Sequence, residues 1–364
     1  MGKIELDHTG SGSGITLSSD GTNLLLGGTA IGGGGGGDPD LFDENYDGST
    51  TAPNATGTNA FAIGVQSTSS ATNSVAIGTG AYVTHQGGIG LGYSPTVTAN
   101  YGAAIGANSA GAGAKVSGAG GVALGGSNTQ GSEAFSAVID NTTTSYGASG
   151  ANSIAMGYQA KATNSYATVS GGASNVASGY HSTVIGGSNN LADNIGSTVL
   201  GGRYGTTRGI RGATIFAGYG NQITATQGTT QSGLYILAEQ TTDATATALK
   251  TDNQSSSSTA NQIVLPNNSC YGFTGTVIAR ENSAQTNDFA VWEIKGGAVR
   301  AGSASTTALG SYNINKISES TGAANWSIAL SEDTTNGAVA ITVTGEASHS
   351  IRWVATVNTT EVTY

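Results

Sequence analysis

Asn73-Ser74-Val75-Ala76-Ile77-Gly78 holds the unit that decides the fold, because its apolar pair and glycine return at a fixed step. Ile63-Gly64, Ile77-Gly78, Leu91-Gly92 and Ile105-Gly106 put glycine at 64, 78, 92 and 106, a period of fourteen. Leu124-Gly125, Met156-Gly157, Ile185-Gly186, Leu200-Gly201 and Ala217-Gly218 carry the unit on with looser spacing. Such a period reads as a stacked repeat in which no unit buries its own apolar face. Alternation along a strand sends Val75 and Ile77 one way and Ala76 the other. Size suggests that the large side chains fill the core while alanine lets a neighbouring layer approach. Asn175, Asn189 and Asn190 are placed to form amide ladders between layers. About eleven layers at ~4.8 Å each make a shaft on the order of 50 Å.

Composition narrows the class. Glycine supplies 59 of 364 residues, but there is no Gly-X-Y register and only four prolines, which excludes collagen. Charged residues are 9 %, too few for a charged disordered coil. The net charge of −10 argues against nucleic acid as a partner. Within residues 54–232 the acids are Glu133, Asp140 and Asp193, and the bases Lys115, Lys161, Arg203, Arg208 and Arg211. Such a sparsely charged surface would aggregate through open sheet edges, a danger that a closed oligomer removes. Cys270 is the sole cysteine, so no intrachain disulfide forms, and it is expected to be buried as a small apolar residue. No run approaches the ~20 apolar residues of a membrane span, and the N-terminal stretch lacks the apolar run of a secretory signal, so no membrane insertion is expected.

The chain divides by composition. Residues 1–31 read as a small β segment, with a turn at Ser18-Ser19-Asp20-Gly21. Residues 32–58 hold six consecutive glycines, Gly32 to Gly37, and then Asp38, Asp40, Asp43, Glu44 and Asp47; they read as a hinge and a solvated acidic linker, without EF-hand spacing. Residues 59–232 are the repeat, 233–263 a transition, and 264–364 a different domain. All three tryptophans lie in the last. Its alternating runs, Ala290/Trp292/Ile294 and Ile351/Trp353/Ala355/Val357 among them, with a hairpin turn at Asn336-Gly337, suggest an antiparallel β-sandwich or jelly roll. The three tryptophans fall on apolar faces and are expected in its core.

Asn73 to Gly78, with its echo Asn152-Ser153-Ile154-Ala155-Met156-Gly157, resembles the head repeat of trimeric autotransporter adhesins, the YadA-like left-handed β-roll. The resemblance covers roughly residues 59–220, with departures at the nineteen-residue step from Gly106 to Gly125 and at Asp140. It implies a homotrimer: three chains, each winding a parallel roll around a shared axis. The ends resemble something else. Ile15-Thr16-Leu17-Ser18-Ser19-Asp20-Gly21-Thr22-Asn23-Leu24-Leu25-Leu26 is similar to the N-terminus of fibre-like structural proteins of marine tailed phages. Val291-Trp292-Glu293-Ile294-Lys295-Gly296, with Ile351 to Ala355 and Thr360-Glu361-Val362, is similar to a C-terminal domain of the same proteins. The fold expected is therefore all-β, a homotrimeric left-handed parallel β-roll shaft followed by a C-terminal antiparallel β-sandwich or jelly-roll-like domain.

Chemistry is sparse. There is no phosphate loop and no Gly-x-Ser-x-Gly elbow. His8, His85, His181 and His349 show no metal-binding spacing, although on a three-fold axis His85 or His181 would be tripled. Glu332-Asp333 is the tight acidic pair of the last domain and falls in a loop. No catalytic, metal or cofactor residue is assigned. Arg203, Arg208 and Arg211 form the basic cluster of the shaft and are the candidate contacts for anionic surface glycan. The expectation is a non-enzymatic phage fibre, assembled in the host cytoplasm and carried on the virion. Its partners would be two identical chains, a tail or capsid protein at the N-terminus, and a host-surface glycan or protein. The alternatives are a capsid fibre or decoration without receptor role, a bacterial trimeric adhesin fragment, and a glycan-cleaving spike.

Overall fold

The computed structural model describes residues 4–6, 15–19, 24–26, 29–30, 51–107, 111–137, 145–218, 225–252, 254, 256–281 and 287–364. The glycine run, most of the acidic linker and Asp140 lie outside the described residues. The chain divides into Met1–Thr51 and Ala52–Tyr364. In the first unit, strands Ile4–Leu6, Ile15–Ser19, Leu24–Leu26 and Thr29–Ala30 pair antiparallel in chain order.

From Asn54 to Ala217 the second unit winds as a β-solenoid. One ladder stacks eleven short strands from Phe61–Ile63 to Thr214–Ala217, and the other stacks ten from Asn54–Ala55 to Leu191–Ala192. Every strand of these two ladders pairs parallel with the strand one coil later: Val75 faces Ile89, and Tyr82 faces Thr96. The fourteen-residue period is thus one coil of two strands and two turns. Between strands, each coil donates backbone hydrogen bonds to the one before it, as Gly78 N–H does to Ile63 O at 2.7 Å and Gly92 N–H to Ile77 O at 2.8 Å.

The side chains point opposite to the expectation. Ala76 is fully buried, and its registered neighbours Gly90, Ala104, Ala123, Ser136, Ala155, Val169, Val184, Val199 and Ile215 line the interior. The facing ladder contributes Val83, Val97, Val116, Ala148, Ala162, Ala177 and Ala192. Two ladders of a narrow coil leave room for alanine, valine and serine. The large residues Ile77, Leu91, Ile105, Leu124, Met156, Ile185, Leu200 and Phe216 point outward and stay half-buried or exposed. Alternation separates two faces, but coil width decides which is inside.

The turns are made by left-handed residues. Asn59, Asn73, Tyr101, Glu133, Asn152, Tyr166 and His181 hold φ between 53° and 59°, with Gly87, Gly120 and Gly196 in the same place on other coils. Buried serines close these turns: the hydroxyls of Ser74, Ser153 and Ser182 donate to the carbonyls of Ala71, Gly150 and Gly179 at 2.6, 2.6 and 2.7 Å. Gly78 is needed twice over, since its φ is 118° and a Cβ would stand 2.0 Å from the Gly92 carbonyl oxygen. The amide ladder is present in part. Asn175 Oδ1 accepts from Asn190 N–H at 3.0 Å, and Asn190 Oδ1 from Gly205 N–H at 2.7 Å. Each Nδ2 donates to one carbonyl of its own coil, Gly171 or Gly186, and to one of the next, Gly187 or Gly202. Asn189 is instead a left-handed turn residue.

At Thr214–Ala217 the pairing becomes antiparallel and the same sheet runs on into the C-terminal region through Thr230–Thr241. Strands Thr307–Glu319, Phe289–Arg300, Ser269–Glu281, Ile351–Thr363 and Thr230–Thr241 lie side by side in that order. A smaller antiparallel sheet is built on Ala338–Thr344, paired with Thr247–Ala248, Ile263–Val264 and Ser327–Asp333. Both sheets feed one core that holds Tyr235, Tyr271, Trp292, Trp326, Ile341 and Trp353. Trp353 is central, its ring 5.7 Å from Trp292 and 6.0 Å from Trp326, as the expected core role requires. Cys270 is exposed, a correction: alternation turns Tyr271 inward and its neighbour out.

Two substitutions separate the faces. Ala76→Leu should cost about 1–3 kcal/mol by overpacking the coil interior. Ile77→Leu, on the outward face, should leave the circular-dichroism melting midpoint close to wild type.

Candidate functional site

The three arginines of the shaft have separate roles. Arg208 is a left-handed turn residue at φ 54° whose guanidinium enters the boundary between the last coil and the C-terminal sheet. Its Nη2 and Nε donate to Glu361 Oε2 at 3.3 and 3.4 Å, and Nη2 also to Gly228 O at 2.7 Å. Glu361 is buried and gathers further donors. Gln231 Nε2 reaches Oε2 at 2.8 Å, while Tyr235 Oη and Thr359 Oγ1 reach Oε1 at 3.0 and 2.6 Å. Gln231 also clasps Thr206, donating to its carbonyl and accepting from its N–H, both at 3.0 Å. Burial first, and then the Glu361 charge, hold the phenols of Tyr235 and Tyr271 well above the ordinary tyrosine range. This network ties the last coil to the C-terminal strand. Arg211 is ion-paired with Asp252, and Arg203 lies on the Tyr204 ring at 4.8 Å.

The acidic pair, expected in a loop, is instead the end of the strand Ser327–Asp333, paired with Val339 and Ala338, and Asp333 closes the turn that follows. Asp333 accepts from the backbone of Thr335 and Asn336 at 3.0 and 2.9 Å and from Asn336 Nδ2 at 2.7 Å. Burial raises its pKa, but these hydrogen bonds outweigh it and hold the carboxyl below its usual range. Glu332 is exposed beside it. His85 and His181 are exposed turn residues, and among the described residues no group of three or more His, Cys, Asp or Glu side chains could hold a metal ion. No helix among them is long and apolar enough to cross a membrane.

Sequence reading missed two groupings. At one end of the C-terminal sheet, His349 Nδ1 lies 3.0 Å from Glu281 Oε1, and Ser320 Oγ donates to Asp288 Oδ1 at 2.6 Å. The hydrogen bond to Glu281, aided by the charges of Glu281, Glu346 and Asp288, raises the His349 pKa. On the shaft, exposed aromatic rings meet across coils. Tyr166 and His181 occupy the same turn position on successive coils with centroids 4.8 Å apart, Tyr180 stacks on His181 at 4.1 Å, and Tyr166 meets Tyr180 edge-on at 5.5 Å. The period carries this signal, since His181 falls one coil after Tyr166. Flat, exposed rings with hydroxyl and imidazole edges on a rigid backbone can stack on the C–H face of a sugar and hydrogen-bond its hydroxyls.

Comparison with known proteins follows this geometry. A model of the YadA head domain repeat matches residues 55–81 and 148–174. A comparison with curated proteins gave no match. Among solved structures, a tailspike from Acinetobacter baumannii bacteriophage Fri1, described as a capsular polysaccharide depolymerase, matches at 10 % identity and TM-score 0.22 over 82 % of this chain and 63 % of its own. The tailspike of Acinetobacter phage vB_ApiP_P1 matches at 10 % and 0.20 over 81 % and 56 %, and that of Acinetobacter baumannii phage AM24 at 9 % and 0.20 over 84 % and 58 %. The chain thus spans less than two thirds of the length of these structures. A depolymerase among them corrects the expectation of a non-enzyme, which rested on missing motifs alone.

Removing Glu361 would strand the buried Arg208 charge, so Glu361→Ala should cost about 3–5 kcal/mol, read as a lower thermal midpoint. In an NMR titration the His349 ring should protonate with a midpoint above that of an ordinary histidine, falling back toward it in Glu281→Gln. Because the folded pKa is the higher one, this histidine's contribution to stability is complete below the unfolded pKa and is lost as pH rises through the folded value.

Proposed function

We propose that the chain is a trimeric attachment fibre of a phage virion. Its solenoid would serve as a rigid shaft and its C-terminal region as a β-sandwich head, and it would bind a polysaccharide of the host surface. One observation carries the reading: the large apolar residues of the repeat point out of the coil. A solvent-facing column of Ile77, Leu91, Ile105 and Leu124 is costly for a single chain, and burying it against two identical columns around an axis removes that cost. The head-repeat match supports the same arrangement, and the similarity to phage tailspikes suggests a place on the phage tail.

The Tyr166–Tyr180–His181 patch supplies the glycan contact in this reading, repeated three times per fibre so that weak single sites add by avidity. Arg203, on the Tyr204 ring, stays a contact for anionic sugars; Arg208 and Arg211 are committed to ion pairs. The N-terminal unit would join the virion.

In light scattering the full chain should have three times its 35.8 kDa mass. Tyr166→Ala and Tyr180→Ala should each weaken binding to purified host-surface polysaccharide about 2- to 10-fold, with the mass unchanged. Unaltered binding in the double variant would remove the patch from the proposal. Oligosaccharide released in the same incubation would show cleavage as well as binding.

A further inference from the structure

The outward face of the large C-terminal sheet carries a row of polar side chains across four adjacent strands. Asn313 is registered with Lys295, Lys295 with Thr274, and Thr274 with Asn358. Alternation turns all four away from the tryptophan core, and all four are exposed. They border a shallow depression of about 660 Å³, inside the ~300–1,000 Å³ range of small-molecule sites.

Two glycines shape the depression. A Cβ on Gly272 would meet nothing within 4 Å, so packing inside the chain does not call for glycine there. Glycine within a strand weakens it and often marks a place where a ligand comes close. At Gly296 a Cβ would stand 2.8 Å from both Phe273 Cζ and Tyr312 Cβ, so glycine is what lets these two side chains approach each other. The ladder shifts register between Gly296 and Ala298, and beside this irregularity Tyr312 stands 50 % exposed at the depression. The charge is one-sided. Among the described residues, Lys295 is the only charged group lining the depression, and it forms no ion pair with any of them. An unneutralised ammonium beside amides, a hydroxyl and an exposed ring, in a chain of net charge −10, is complementary to an anionic polar ligand.

We propose that this depression binds one carboxylated hexose unit of a polysaccharide. The Tyr312 ring takes the C–H face of the sugar, and Thr274, Asn313 and Asn358 hydrogen-bond its hydroxyls. Lys295 pairs with the carboxylate, and the missing side chain at Gly272 leaves room for the sugar ring. The inference rests on the polysaccharide-binding reading and names its sugar class as acidic. It also adds a contact on the C-terminal region to the aromatic patch on the shaft.

The test uses the full-length chain carrying Tyr166→Ala and Tyr180→Ala, so that the shaft patch does not contribute. Tetragalacturonate and its methyl ester, which has the same sugar rings without the charge, are titrated into it by calorimetry. The acid should bind at least about 3-fold more tightly than the ester, and adding Lys295→Gln should erase that difference. Adding Tyr312→Ala should weaken both about 2- to 10-fold. Gly272→Val should abolish binding without lowering the thermal midpoint, because its side chain enters open space and suits a strand. If the unsubstituted chain binds tetragalacturonate but the Tyr166→Ala/Tyr180→Ala chain does not, this proposal falls and the shaft patch stands. Binding that survives both Lys295→Gln and Gly272→Val unchanged overturns it equally, as does a loss of trimeric mass in Gly272→Val, which would give the depression to a second copy. If the unsubstituted chain binds neither probe but still binds host-surface polysaccharide, this proposal alone falls; if it binds no polysaccharide at all, the reading beneath it falls too.

Discussion

Everything in the shaft depends on one constraint: the backbone of each coil hydrogen-bonds to the coil above and below in fixed register. That ladder leaves a narrow interior. Alanine, valine and serine fill most of it, with an isoleucine admitted only at the last coil, Ile215, so the chain carries most of its bulky apolar groups on the outside. A solenoid built this way is incomplete alone in a specific sense. Its backbone hydrogen bonds run from coil to coil within the chain, while much of its large apolar surface stays outside.

The junction shows how a stack of coils is ended. The last coil would leave polar groups facing the next layer. Gln231 takes the place of that layer for Thr206, and Glu361, reached across more than 150 residues, neutralises Arg208. The charge is held by five donor contacts rather than by solvent, which makes the boundary stiff and costly to open. Shaft and C-terminal sheet therefore form a continuous β structure rather than two bodies on a linker.

Much of this was legible in the sequence, and the limits are physical. The fourteen-residue glycine step revealed the stacking and the coil length, because only glycine satisfies the turn at Gly78. The facing of Val75, Ala76 and Ile77 was misread: alternation is symmetric, and only the width of a folded coil breaks the symmetry. The arginines were visible as a cluster, but Glu361 and Asp252 are distant in sequence and no local pattern announces them. Cys270 was misplaced for a related reason, since its strand could be read with either face inward until Tyr271 was seen in the core. The aromatic patch was encoded in the period, yet turn positions carry such varied residues that no motif stands out.

That variety follows from the left-handed turn positions. The same backbone geometry is held at Asn59, Asn73, Tyr101, Glu133, Asn152, Tyr166 and His181, by an amide, an acid, a phenol or an imidazole alike. The frame is set mainly by buried alanines, serines and glycines elsewhere in the coil, and the turn side chains add only contacts along their own column, as Asn59 does to Asn73 and Asn152 to Glu133. The shaft is in this respect a printed line with movable type: neighbouring characters sit one strand spacing apart, about 4.8 Å, and what the surface spells can change one residue at a time while the line itself stays straight.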